Sequence, residues 1–348
     1  MPRDIPVEVH EYLLVPTRAA SASEVLEGEP RPVWRTTAGH GVASLPAVSS
    51  RVTIVTSTDR WIYALDTRNG DTFWRRRGDG AHAVGAVVGG GRVFVASEGT
   101  GGRVSALRLT DGKRIWQASI GDVSSPLVLR DSVLYAVTEE GVVFALSAAR
   151  GHTIWRRYTG PSRSGALVIS RHVVVATLRD SMFVLDRERG EVAGAFRLPA
   201  PTAAPLALVD GTTAALTSPE GSVHIIDIPT GRAIWSVQAG EPVPGSPVVH
   251  ADTVFAVGGS CTLIRVPRHA PNAMRRDSVP GCVTVAAPLV LPSGVLVATV
   301  AGDITYISRT TGKVIWTRNV GGAFRHPPVV RDRQVVLATL GGEILGFR

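Results

Sequence analysis

The sequence predicts an all-β fold: an eight-bladed β-propeller of four-stranded antiparallel blades, closed by its N-terminal strand. Three observations predict it. The first is the frame Leu/Ile–x4–Gly–x3–Trp, found at Leu65/Gly70/Trp74, Leu107/Gly112/Trp116, Leu146/Gly151/Trp155, Ile226/Gly231/Trp235 and Ile307/Gly312/Trp316. Counted from Trp34, the beat is about 40 residues, the period of propeller blades. The second is a proline marker: Pro46, Pro126, Pro205, Pro247, Pro288 and Pro328 each open an apolar run 10 to 13 residues after the Trp position. The third is a missing strand. The last block, "PPVVRDRQVVLATLGGEILGFR", supplies three strands, and "RPVWRTTAG" near the N-terminus holds the fourth with Trp34 in register.

Taken in order, residues 1–30 read as an extended N-terminal arm and residues 31–348 as a single propeller. The third block shows the strands best: "SPLVLR", "SVLYAVT", "VVFALS" and "TIWRRY" are β-rich runs separated by "DS", "EEG" and "AARGH". Gly151 in the last of these turns can take the positive φ that a tight reversal needs. Alternation within the runs is weak, as expected for strands covered on both faces. The fourth block keeps the spacing as Leu185/Gly190/Gly194 but has Gly in place of Trp. The sixth is degenerate, with Arg275 at the Trp position and "PRHAPNAMRRDS" in place of the turn. On an outermost strand a Trp can bury about 150–250 Å² against the next blade. Trp34, Trp74, Trp116, Trp155, Trp235 and Trp316 therefore read as blade-docking residues rather than ligand contacts.

The composition narrows the class further. With 348 residues and 44% hydrophobic content the chain can bury a large core, yet no apolar run approaches the roughly 18 residues of a membrane span. The N-terminal "MPRDIPVEVHEYLLVPTRAAS" lacks a seven-residue apolar stretch and does not read as a signal peptide. The chain is then cytoplasmic, or a leader has been removed or left out. The formal charge is +8, carried by arginine apart from Lys113 and Lys313. These arginines are scattered and not interleaved with aromatic residues, so a solvated surface fits better than a nucleic-acid site.

Catalytic patterns are weak. There is no G-x-S-x-G; "GPSRSG" at 160–165 falls in an inter-blade loop, and the glycines of "GAVVGGG" at 85–91 fall in a turn with no helix to follow. The nine histidines form no HxxxH pair. His40, His82 and His326 fall in loops of neighbouring blades and read as solvated side chains rather than zinc ligands. The two cysteines form no CxxC motif. Cys261 begins the third strand of the sixth block and Cys282 follows its fourth, so the antiparallel arrangement places them near one another. A Cys261–Cys282 disulfide is the expectation; it would tie a blade that has lost its Trp and point to an oxidising compartment.

The repeated "ALD–TG–W" pattern over residues 31–348 resembles the PQQ-like propeller repeat family. Trp-Asp dipeptides, the mark of WD40 blades, end none of the blocks. Within the family, the length, the eight blocks, the opening "PVWRTTAG" and the ending "GGEILGFR" are most similar to the BamB-type propellers of outer-membrane β-barrel assembly. The resemblance implies a non-catalytic scaffold in the periplasm or cell envelope, without cofactor or metal, that docks a barrel-assembly protein through inter-blade loops. It carries Arg197, Leu198 and Glu241 over as partner-binding candidates. A ligand-binding or sensory propeller is the alternative. A quinone-dependent dehydrogenase is more remote, since those enzymes are longer and place adjacent cysteines beside the cofactor, whereas Cys261 and Cys282 stand 21 residues apart in the sequence.

Overall fold

A computed structural model describes residues 29–348 apart from 30, 40, 43, 83, 100, 261, 282–285 and 332–333. The described residues form eight four-stranded antiparallel sheets, the blades of an eight-bladed β-propeller, with one short 3-10 turn at Pro271–Ala273. Seven blades are meanders of consecutive strands, spanning residues 47–77, 87–119, 128–158, 166–197, 207–238, 248–278 and 289–319. In the eighth, Val329–Arg331, Gln334–Ala338 and Glu343–Phe347 are completed by Pro32–Thr37 from the N-terminus. The register there pairs Trp34 with Gly346 and Thr37 with Glu343. The N-terminal strand thus covers an edge that would otherwise present unpaired backbone groups. Of the expected arm, residues 1–30, all but Glu29 lie outside the described residues.

Position within a blade dictates composition. The second strand of the first blade, Val52–Thr56, is buried at every residue, and so reads as an unbroken "VTIVT" run. Its outermost strand, Thr72–Arg77, buries only Trp74 and leaves Arg75, Arg76 and Arg77 in solvent. The turn leading into that strand explains half of the repeat. The Gly70 amide donates to the Asp66 carbonyl at 2.8 Å, and the same bond recurs from Gly112 to Arg108, Gly151 to Ser147, Gly190 to Asp186, Gly231 to Asp227 and Gly312 to Ser308. Each of these glycines has φ between 68° and 75°, a region open to Gly and costly for L side chains.

The chain divides into two compact units. One comprises the described residues up to Tyr158 together with Val329–Arg348, and holds the first, second, third and eighth blades. The other, Thr159–Pro328, holds the fourth to seventh. In both, the core is divided among clusters shared by adjacent blades. Phe94 and Val104 pack with Leu134 and Leu146 between the second and third, and Phe255 and Leu263 pack with Val295 and Ile307 between the sixth and seventh.

Candidate functional site

The tryptophans of the N-terminal unit share one geometry. Trp34 Nε1 donates to the Thr67 carbonyl at 2.9 Å, Trp74 Nε1 to Leu109 at 2.7 Å, and Trp116 Nε1 to Ala148 at 2.9 Å, each acceptor lying in the following blade. The glycine three residues beyond each acceptor lies under the indole. A Cβ on Gly70 or Gly112 would come within 2.6 Å of a ring carbon of Trp34 or Trp74, and one on Gly151 would strike Trp116. The glycine is therefore demanded twice, by its positive φ and by the ring above it. Trp155 is also buried, with its ring centroid 6.0 Å from that of Tyr135.

In the C-terminal unit the corresponding positions diverge. Trp235 is half-buried and donates to the Arg268 carbonyl at 2.9 Å, over a hairpin lengthened by the Pro271–Ala273 turn, with Met274 in the same apolar cluster. The sixth blade carries an ion pair instead of an indole. Arg265, 7% exposed, sets its Nε 2.6 Å from Asp277 Oδ2 and donates through Nη1 to the Arg309 carbonyl at 2.8 Å. Arg309 stands three residues before Gly312, where the other blades offer a carbonyl to an indole. Trp316 is half-buried, its ring centroid 5.5 Å from that of Tyr306. In the fourth blade Gly194 lies opposite Val184, as Trp74 lies opposite Ala64. Phe196, two residues on, folds its ring back over Gly194 and packs its Cβ and Cγ against Gly231. Sequence reasoning missed both Phe196 and Arg265.

The partner-binding candidates separate. Arg197 ends the outer strand of the fourth blade and is exposed. Leu198, by contrast, is 4% exposed and belongs to the core cluster shared by the fourth and fifth blades. Its side chain offers a partner no surface, which corrects the expectation drawn from its loop position. The reason is visible in the loop: Leu198, Ala200, Thr202, Ala204 and Leu206 are all buried, so the connection is an extended, packed segment. Glu241 is half-buried, and its Oε2 accepts from the Ser260 amide at 2.7 Å, capping the hairpin that follows Gly258. Cys261 and Cys282 lie outside the described residues, and with them the expected disulfide.

His82 is buried, not solvated as its loop position suggested. Its Nδ1 donates to the Ala96 carbonyl at 2.7 Å, its ring occupies the space beside Gly78, and burial holds its pKa below the usual imidazole value. His326 is half-buried, and His40 lies outside the described residues. His224 is 4% exposed, with Nδ1 2.7 Å from Ser236 Oγ and Nε2 2.6 Å from Ser222 Oγ. Ser222 in turn bonds Ser218 at 2.8 Å. Burial lowers the His224 pKa to about 4, so the ring is neutral at pH 7. This chain of hydroxyls and imidazole has the atoms of a hydrolytic site, but Ser218 and Ser222 are themselves buried, and the network ties strands together. Among the described residues no group of three His, Cys, Asp or Glu is placed to hold a metal.

A cleft of about 370 Å³ opens between the fourth and fifth blades, where Gly194 replaces the repeat tryptophan. Its walls are Ile169, Val184, Phe196, Ile228 and Pro229, with Arg171, His172 and Thr212 among the polar lining residues.

Comparison with known proteins adds an independent line. The sequence profile of the family described as "Outer membrane protein assembly factor BamB" matches residues 3–196, 184–270 and 283–348. The Burkholderia pseudomallei protein of that name is 25% identical over 370 residues, covering 96% of this chain and 91% of the relative. A tetrathionate hydrolase from Acidithiobacillus ferrooxidans is 23% identical over 76% of this chain and 50% of its own length. Among solved structures, BamB from Moraxella catarrhalis superposes with a TM-score of 0.78 at 16% identity, covering 92% of this chain and all of that one. A quinohemoprotein alcohol dehydrogenase from Pseudomonas putida superposes at 0.69 with 13% identity, covering 92% of this chain and 76% of the enzyme. At such identities the two superpositions establish the propeller fold alone. The profile match spans most of the sequence, and the chain belongs to the BamB family of outer-membrane assembly propellers.

Proposed function

We propose that the protein is a non-catalytic scaffold of the cell envelope that docks a barrel-assembly protein on one propeller face, in the manner of the relatives named for outer-membrane assembly. The observation that carries this reading is the family profile running along nearly the whole chain, eight blades included. The inter-blade loops suit the role physically. Buried alternate residues such as Ala239 and Val243 anchor the backbone, so the exposed ones are presented without ordering a flexible loop on binding. We assign Arg197 and the Glu241 loop to the contact surface. No helix among the described residues is long and apolar enough to cross a membrane.

Affinity purification of the tagged protein from envelope extracts tests the reading. Enrichment of a barrel-assembly protein, lost on Arg197→Glu, is the expected result. Reproducible dye reduction by the purified protein, supplied with pyrroloquinoline quinone, calcium and an alcohol, would overturn it.

A further inference from the structure

Arginines that stand scattered along the sequence are gathered by the N-terminal unit onto one face. In its first three blades the hairpin joining the first two strands and the turn joining the last two lie at the same end, because the strands are antiparallel. Backbone bonds tie each pair together: the Thr67 amide donates to the Arg51 carbonyl at 3.0 Å, Leu109 to Gly91 at 2.9 Å and Ala148 to Ser132 at 3.0 Å. At the inner hairpins of the eighth, first, second and third blades stand Arg331, Arg51, Arg92 and Arg130. Gln334, opposite Arg331 in the register, donates to the Thr67 carbonyl, so the eighth blade joins the same face. The outer turns add Arg68, Arg108, Lys113 and Arg150, all exposed. Carboxylates on these described hairpins and turns are half as many, Asp66, Asp71, Asp111 and Asp131, and Asp66 is buried. Arg92 even lies directly across the strands from Arg108, a like-charge pairing that costs stability unless an anion sits nearby.

The opposite end of the same blades is acidic. Its loops carry Asp59, Asp79, Glu98, Asp122, Glu139 and Glu140, with Arg60, Arg77 and Arg103 as the nearby cations. The Glu98 carboxyl is held above its ordinary pKa by burial and then by Asp122 and Glu139, as expected where negative charge is concentrated. The C-terminal unit does not repeat the pattern. Of its inner hairpins the fourth blade keeps Arg171, whereas the fifth and sixth carry Asp210 and Asp252 and the seventh Ser293. The segregation of charge is therefore a property of one unit rather than of the repeat. What the basic face lacks narrows its partner. The exposed large apolar side chains of this unit, Val33, Ile115, Ile154 and Tyr158, all lie on outer strands and none on these turns. Without an apolar centre the face is poorly suited to a protein interface, and without aromatic residues it offers no platform for unpaired bases.

We propose that the hairpin-and-turn face of the N-terminal unit is a docking surface for a bilayer carrying anionic phospholipid headgroups. Arginines spread over four neighbouring blades, with no single point of convergence, match a plane of phosphates better than one small anion. Guanidinium groups suit that target, since each can hold a phosphate through two N–H donors. The acidic far end orients the unit, because an anionic leaflet repels it while attracting the basic turns. This surface does not rest on the docking of a barrel-assembly protein, and its test needs no partner protein.

Co-sedimentation of the full chain with vesicles tests it, comparing phosphatidylcholine alone with phosphatidylcholine containing about one-third phosphatidylglycerol. Binding is expected only to the anionic vesicles, and it should fade between about 0.1 M and 1 M salt as the Debye length falls from about 10 Å to about 3 Å. Each basic side chain near an anionic leaflet contributes roughly five-fold, so Lys113→Gln/Arg150→Gln should weaken binding about twenty-fold. Both residues are exposed, and an unchanged melting curve would confirm that the variant is folded. The same change of charge in the other unit, Arg171→Gln/Arg189→Gln, should weaken binding less than about two-fold. Equal binding to the two vesicle types overturns the proposal, and that comparison needs no variant. Equal losses for the two double variants would show an effect of net charge and overturn the assignment to this face. Duplex DNA binding as tightly as the anionic vesicles at matched phosphate concentration would overturn the lipid assignment.

Discussion

The two units solve the same packing problem differently. Within the N-terminal unit three successive blade contacts use one device, an indole on a glycine with its N–H on a carbonyl, at Trp34/Gly70, Trp74/Gly112 and Trp116/Gly151. Within the C-terminal unit the three contacts use a Phe and a cleft at Phe196/Gly231, a Trp over a lengthened hairpin at Trp235/Arg268, and an ion pair at Arg265/Asp277. At five of these six contacts the shared element is the carbonyl, which takes an N–H from indole or guanidinium alike. The Phe196 contact supplies bulk over the turn without a donor, whereas tryptophan supplies both.

The comparison breaks most severely at the closing strand. Deleting residues 1–38 removes Trp34 and the strand paired with Glu343–Phe347, exposing an edge and an apolar cluster together. Soluble folded protein should be lost or sharply reduced, as size-exclusion chromatography and circular dichroism would show; an unchanged melting curve would refute it.

Next in size is Trp116→Ala, expected to cost about 3–5 kcal/mol in urea unfolding, through a buried cavity and an orphaned Ala148 carbonyl. A loss below about 1 kcal/mol would mean that the indole contributes little to docking.

The ion pair should behave otherwise. Asp277→Ala leaves the Arg265 guanidinium buried and uncompensated, and is expected to cost about 3 kcal/mol. Replacing both groups, as Arg265→Met/Asp277→Leu, should return stability to within about 1 kcal/mol of the parent, because burying two charges offsets much of their attraction. If the double variant is no more stable than the single one, the pair is not an interchangeable filling.

The smallest effect is in pH. The folded-state pKa of His224 lies near 4, below its ordinary value of 6.5, and burial also lowers that of His82. The unfolded chain thus binds more protons between these values, and the stabilisation is complete above about pH 6.5 and lost as pH falls toward 4. Thermal melts from pH 7.5 to 4.5 should show a decline that His224→Asn flattens. Parallel curves for the two proteins would exclude His224 as its source.

Most of the fold was legible in the spacing. Gly and Trp mark turns and outer strands because both answer to local geometry: a positive φ and a one-sided strand. The missed residues also left signals. Two positions after the Trp site the other seven blades carry Thr36, Arg76, Ala118, Arg157, Val237, Asp277 and Arg318, so Phe196 is the one aromatic there. Opposite the Trp site stand Ala64, Ala106, Ala145, Val184, Ile225, Tyr306 and Gly346, with Arg265 the one charge. An odd residue in a repeat column marks a changed interface, but the column does not say what the change accomplishes.

The sequence by itself determined the eight-blade repeat, the closing strand and the register of the tryptophan positions, because hydrophobic period, turn chemistry and residue size act over a few neighbouring residues. Only the tertiary structure decided which loop residues face outward, as Leu198 and His82 show, and what takes the place of a missing tryptophan. Those outcomes depend on atoms that meet from positions 30 to 45 residues apart, such as Arg265 and the Arg309 carbonyl. Contacts of that kind are set by shape and by hydrogen-bond groups that meet only in the assembled blades.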